Sequence, residues 1–225
     1  MSESVSALGS LQVFASSAVE LAPGLEHRET YTPQGLLTVF THRPADRTRA
    51  AIVTCGGAMG GVLGPGNALF HRFGSIWPQR GVAVYRVGYR VPNDLDRCAH
   101  DVACAVETAI DDGAERVVVM GHSFGGAVAV RVAVVMTDEV AAVVTFATQS
   151  AGCEVAGALA GRPLLLFHGD SDELLPLQSS EMVRMIAGHG ELVVLPNDGH
   201  ALGRSDDAIV ERVDEWLPPV LGLTD

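Results

Sequence analysis

Short, mostly apolar runs alternate along this chain with longer segments whose apolar positions recur every three or four residues. Residues 50–55, 82–87, 117–120, 140–146, 163–167 and 191–195 form the runs. They are rich in β-branched residues and too short for helices, so they predict strands buried on both faces. Between them, residues 95–111, 127–135, 176–187 and 206–217 predict helices. The last of these sets Ile209, Val210, Val213, Trp216 and Leu217 at helical spacing, and Pro218-Pro219 is expected to end it. Asn67 is expected to cap a further helix that runs to about Arg80, where Gly81 stops it. Pro92-Asn93-Asp94 introduces the helix at 95–111, and Asp112-Gly113 closes it. Nearer the N-terminus, residues 25–32 and 36–42 flank the turn signal Pro33-Gln34-Gly35 and predict an antiparallel hairpin at a sheet edge. Residues 43–49 read as a polar loop. Residues 11–21 fit a strand or a short helix equally well.

Strands alternating with helices predict an α/β fold, with a mostly parallel central sheet and helices on both faces. No repeat, low-complexity tract or linker interrupts the pattern. Residues 1–24 read as an N-terminal extension packed on or near the core, and residues 25–225 as a single domain. In such sheets the functional groups gather at the carboxyl ends of the strands. That rule singles out four loops, those after Cys55, Met120, Phe167 and Leu195.

Composition narrows the classes. The 225 residues are 48% hydrophobic and 19% charged, which favours a filled core over disorder. A net charge of −12 without a Lys/Arg cluster argues against nucleic acid as a partner. Residues 1–10 lack the basic and apolar regions of a signal peptide. No stretch is long enough for a membrane span. Cys55, Cys98, Cys104 and Cys153 lack zinc-ligand spacing and read as reduced core residues of a cytoplasmic protein.

The chemistry sits in the four loops. After Met120 comes Gly121-His122-Ser123-Phe124-Gly125-Gly126, a G-x-S-x-G pattern between a predicted strand and a predicted helix. The glycines suit a turn so tight that a Cβ would collide with its neighbours. A serine hydroxyl is a weak nucleophile unless a base takes its proton, and the base needs an orienting carboxylate. The loop after Phe167, His168-Gly169-Asp170-Ser171-Asp172-Glu173-Leu174-Leu175-Pro176, offers three carboxylates. The loop after Leu195 offers His200 within Asp198-Gly199-His200. The glycine-rich loop after Cys55 lacks the Lys-Ser/Thr ending of a phosphate loop and is not G-x-G-x-x-G. Cys55 itself, ending a buried strand, reads as inert core.

These motifs, in the order serine, acid, histidine, resemble those of the α/β-hydrolase superfamily over roughly residues 25–220. The second motif looks like that superfamily's H-G-x-x-D-x-x-V-P segment, with Leu175 in place of valine. The resemblance implies Asp172, rather than Asp170 or Glu173, as the acid. It also implies an oxyanion hole built from the backbone N–H of Phe124 and one from Ala58 or Gly57. His122 and His168 fit the motifs as residues that steady loops. The compact length is similar to the dienelactone hydrolase branch, although that branch carries cysteine where this chain has Ser123. Residues 148–162 are too few for a cap domain. The site is therefore expected to be open or closed by a partner subunit, with Met59, Val62, Leu63 and Leu174 as candidates for an apolar lining. Arg86 and Arg90 either reach a substrate carboxylate or make surface salt bridges.

The expected activity is hydrolysis of a carboxylic ester or thioester of a small acyl substrate, with Ser123, Asp172 and His200 as triad and no metal or organic cofactor. Because a histidine base works in its neutral form, activity is expected to fall on the acid side of about pH 6–7. The competing reading is a non-catalytic small-molecule receptor or scaffold on the same fold. Trp216 marks either a homodimer face or core.

Overall fold

The computed structural model describes residues 6–46 and 48–223. The expectations for residues 1–5, Arg47 and residues 224–225 lie outside the described residues. In chain order the elements are α1 (Ala7–Ser10), β1 (Ala15–Ala22), β2 (Leu25–Thr32), β3 (Gly35–His42), β4 (Ala50–Cys55), α2 (Leu69–Ile76, continued by a 3-10 turn Trp77–Arg80), β5 (Val82–Gly88), α3 (Leu95–Asp111), β6 (Arg116–His122), α4 (Phe124–Val135), β7 (Val140–Phe146), β8 (Leu164–Gly169), α5 (Gln178–Ala187), β9 (Glu191–Leu195) and α6 (Asp206–Leu221).

The described strands form one nine-stranded sheet in the order β1-β2-β3-β5-β4-β6-β7-β8-β9. Strands β4 to β9 run parallel, and β1, β2 and β3 add antiparallel pairings at one side. This is the mostly parallel α/β sheet that the alternating runs predicted. The apolar runs divide between two layers because successive side chains of a strand point to opposite faces. Val117 and Val119 join the core under α3 and α4, while Val118 and Met120 join the core under α2 and α6. Strand β6 is thus apolar at every position of 117–120 because both of its faces are roofed.

The undecided segment at 11–21 resolves as β1, which pairs with β2 from Ala15↔Tyr31 onward. All eight of its residues are exposed. The short α1 is clipped to α3, where the Glu107 carboxylate accepts the N–H groups of Ala7 and Leu8, each at 2.7 Å.

Two predicted boundaries need correction. Asn67 does not cap α2; Ala68 occupies that position, at a left-handed φ of 60°. The Asn67 N–H is instead taken by Asp206 Oδ2 of α6 at 2.9 Å. The last helix does not end at Pro218-Pro219 but runs through both to Leu221, closing at Gly222 with φ 70°. Leu217 and Leu221 are both buried, so core packing holds this last turn in place of the two missing donors. Among the described residues, no helix is long and apolar enough to cross a membrane.

Candidate active site

Strand β6 ends at the middle of the sheet, and the chain reverses there into α4 through Ser123. The register sets Cys55 of β4 beside Gly121 of β6, so the loop after β4 starts next to this turn. Ser123 has φ 57° and ψ −119°. A non-glycine residue held there stores about 1–3 kcal/mol of strain. The turn is closed by the Ser123 N–H donating to Phe146 O at 2.8 Å and by Gly126 N–H donating to Ser123 O at 3.0 Å. Its glycines are obligatory for space. A Cβ on Gly121 would fall within bonding range of Gly125 O, one on Gly125 would strike Gly56 O, and one on Gly126 would strike Thr148 Oγ1. Phe124 opens α4 and is buried, its ring edge-on to Tyr89.

The carboxylate-rich loop after β8 is tied to the loop after β9. Its three acids each hold the loop that carries His200. Asp170 Oδ1 accepts the Asn197 N–H at 2.7 Å, Glu173 Oε2 accepts the His200 N–H at 3.1 Å, and Asp172 Oδ2 accepts from the His200 ring at Nδ1, 2.8 Å away. Asp172 Oδ1 takes the N–H groups of Leu174 and Leu175, both at 2.8 Å. The Asp172 side chain is fully buried. Burial pushes its carboxyl up, but the Leu175 N–H, the His200 ring and the Leu174 N–H together outweigh burial and leave it below its ordinary 3.8. A second imidazole, His168, lies 3.3 Å from Asp172 Oδ2, with its Nε2 also 3.1 Å from Leu175 O and its Nδ1 2.7 Å from Ser180 Oγ. The structure therefore brings Asp172 and His200 together and brings the His200 loop against the Ser123 turn. The latter contact is made by His122, whose Nε2 lies 3.0 Å from His200 O.

The loop after β4 reaches the same place. The position a Cβ would take on Gly57 is 3.5 Å from Ser123 Cβ, so Gly57 flanks the serine. The Tyr89 hydroxyl fixes the loop by donating to Gly56 O at 2.9 Å. Met59 is 92% exposed, Leu174 68% and Leu63 55%, so none of the three is buried in an enclosed pocket. Val62 is half-buried and its carbonyl is taken by Arg86. Cys55 is buried, its thiol pushed up to about 12 by that burial, which suits core and not a nucleophile. All four cysteines are free and buried.

Arg86 and Arg90 do not make surface salt bridges, because both are buried. Arg86 contacts His42 Nε2 at 3.0 Å and lies over the Phe40 ring. Arg90 pairs with Asp101 and lies 2.6 Å from His100 Nδ1. Trp216 is half-buried against the α2/α6 core.

Sequence reasoning missed Glu173 and Asp198 as loop fasteners. Asp198 is buried and its carboxylate accepts the Gly199 N–H at 3.0 Å and the Arg204 N–H at 3.2 Å. An Asp directly before a glycine is the available signal, since its side chain turns back on the chain that follows.

Two rings, His42 buried and His122 half-buried, tie stability to pH. Burial, then the charges of Arg86 and His71, push His42 down to about 4. Burial likewise pushes His122 down to about 4, against the opposing pull of its bond to the His200 carbonyl. An unfolded histidine titrates near 6.5. Between there and pH 4 the unfolded chain binds protons that the folded chain refuses, so stability falls as pH falls, by up to about 1.4 kcal/mol per pH unit for each ring. The depressed Asp172 adds stability that is complete above about pH 4 and lost as pH drops through its folded value. The urea midpoint is expected to be clearly lower at pH 5 than at pH 7. Equal midpoints would show that the two rings are not held neutral.

A sequence model described as the dienelactone hydrolase family matches residues 84–214, more than half of the chain. No curated protein matches the sequence. Among solved structures, Est1E from Butyrivibrio proteoclasticus superposes with a TM-score of 0.72 at 17% identity, covering 87% of this chain and 99% of its own. A CIB-like hydrolase from Thermoplasma acidophilum gives 0.69 at 16% identity, covering 89% and 99%. Thermogutta terrifontis esterase 2 gives 0.65 at 19% identity, covering 88% and 95%. At these identities the structural likeness concerns the fold.

Proposed function

This chain belongs to the dienelactone hydrolase family of α/β-hydrolases, and from that premise we propose that it hydrolyses a carboxylic ester or thioester of a small substrate through an acyl-enzyme on Ser123. One observation carries the reading. A serine strained at φ 57° stands at the carboxyl end of the central strand, beside a loop whose histidine is hydrogen-bonded to a buried carboxylate at 2.8 Å.

Ser123 Oγ attacks the acyl carbon while its proton passes to His200 Nε2. Asp172 keeps the other ring proton on Nδ1 and balances the imidazolium charge. The tetrahedral oxyanion is received by the N–H of Phe124, at the positive end of α4, and by that of Ala58 or Gly57. His200 returns the proton to the departing alkoxide or thiolate, leaving Ser123 acylated. A water then gives its proton to His200, attacks the acyl carbon, and Ser123 departs with that proton as the acid product forms. Ser123 is chemically competent where the family branch uses cysteine, because the depressed Asp172 keeps its negative charge and so supports a proton-accepting His200. Met59, Leu63 and Leu174, all exposed on the loops after β4 and β8, would offer an apolar acyl or alcohol group a surface that encloses it only in part.

A fluorophosphonate probe read by intact mass, beside a panel of p-nitrophenyl esters of increasing chain length, tests the proposal. The expected result is one phosphonyl group per chain, located at Ser123, with turnover of the short esters. A folded protein that neither labels nor turns over would overturn it and leave a ligand-binding role on this fold.

A further inference from the structure

His122 lies between the nucleophile and the base, yet the reaction gives it no proton to carry. It is the last residue of β6, anchored by its pairing with Phe146 of β7. Its Nε2 stands 3.0 Å from the main-chain oxygen of His200. A carbonyl only accepts, so Nε2 carries the proton and donates. Its Nδ1 faces Gly57 of the loop after β4, 3.7 Å from where a Cβ there would sit. Its ring lies 5.0 Å from the His200 ring, tilted by 47°.

His200 is therefore gripped at three points. Glu173 holds its main-chain N–H, Asp172 holds its ring Nδ1, and His122 holds its main-chain oxygen. The three grips come from two places in the fold. Asp172 and Glu173 both belong to the loop after β8. His122 belongs to the central strand and sits directly before Ser123. Its bond is the one that references the position of the base to the nucleophile's own strand.

We propose that His122 is a positioning residue that sets the distance from His200 to Ser123 by holding the His200 carbonyl from the end of β6. This rests on the reading of Ser123, Asp172 and His200 as the catalytic set. A ring in this place has to remain neutral, since a second cation beside the His200 imidazolium would oppose proton transfer. A long amide reproduces the donor, because glutamine Nε2 reaches about as far as histidine Nε2. A leucine fills similar space and donates nothing.

The test compares wild type with His122→Gln and His122→Leu, and with His122→Met should the leucine variant not fold, each checked by circular dichroism. Two readouts are taken. The low-field proton resonance of His200 Nδ1–H bound to Asp172 is followed in the resting protein. The kcat and KM for a p-nitrophenyl ester are then measured. The resonance is expected to persist in wild type and His122→Gln and to broaden or vanish without the donor. The kcat is expected to fall about 10²-fold in the leucine or methionine variant, with KM little changed and with most of the loss recovered by glutamine. An unchanged resonance and kcat in the variants without a donor would overturn the proposal, as would a glutamine variant as impaired as leucine. If wild type lacks turnover while the resonance responds as described, the hydrolase reading fails and the positioning of His200 by His122 stands.

Discussion

Replacing Ser123 by alanine is expected to lower kcat/KM toward p-nitrophenyl esters by on the order of 10⁶-fold, since nucleophile, base and acid act as a unit and little survives the loss of the first. What survives comes from the oxyanion donors and binding, which still favour attack by water. Fluorophosphonate labelling is expected to disappear with the hydroxyl. A loss of less than tenfold would remove Ser123 from the chemistry. The stability arm of the same experiment separates chemistry from collapse. Alanine keeps the left-handed backbone strain of the turn, so its melting temperature is expected to match wild type. Glycine at 123 also removes the hydroxyl but relieves that strain of about 1–3 kcal/mol, against about 0.5–1 kcal/mol of added chain entropy in the unfolded state. Ser123→Gly is therefore expected to be inactive and to melt higher than wild type.

Gly121→Ala is expected to be the most damaging single-methyl addition in the site, destabilising by about 3 kcal/mol or more. The added carbon would overlap the Gly125 carbonyl and stand 2.7 Å from Gly126 N. These are backbone atoms, so no side-chain rotation relieves the overlap. Gly125 is itself closely approached by the end of β4, since a Cβ there would strike Gly56 O and stand 2.7 Å from Cys55 O. The strain must then pass into α4 or β4. Gly81→Ala is the control. It has a left-handed φ of 79° but nothing within 4 Å of the new carbon, so it carries only the backbone cost of about 1 kcal/mol. Urea unfolding of the two variants makes the comparison. Equal midpoints would refute the steric account of the elbow.

The strands were legible because a strand roofed on both faces must be apolar at every position, as at 117–120. The loops carrying Ser123, Asp172 and His200 were legible because each follows such a strand in a parallel sheet. Boundaries set by distant partners were not. The start of α2 departs from Asn67 because the carboxylate of Asp206, far along the chain, takes the Asn67 N–H. The end of α6 overrides two prolines because Leu217 and Leu221 are buried. Arg86 and Arg90 looked like surface cations because their partners lie on other elements. Within the site, the bond from His122 to His200 spans 78 residues, and no local pattern announces it. The three acids at 170–173 could be counted in the sequence, but their division of labour could not. It follows from how closely the loops after β8 and β9 approach, close enough that a Cβ on Gly169 would collide with Asp198 O.

The wholly exposed β1 gives the sheet a gradient of cohesion. Its eight residues are exposed and it is held in the sheet by its pairing with β2, so β1 is expected to detach at the cost of little more than that ladder while both cores stay closed. Strand β6, five strands inward and buried on both faces, can release its amides only when the whole molecule opens. Amide exchange is therefore expected to be fastest in β1, at the edge of the sheet five strands from β6, and slowest in β6. The Ser123 turn thus keeps its strained backbone at the end of a strand buried on both faces, away from the sheet's most exposed edge.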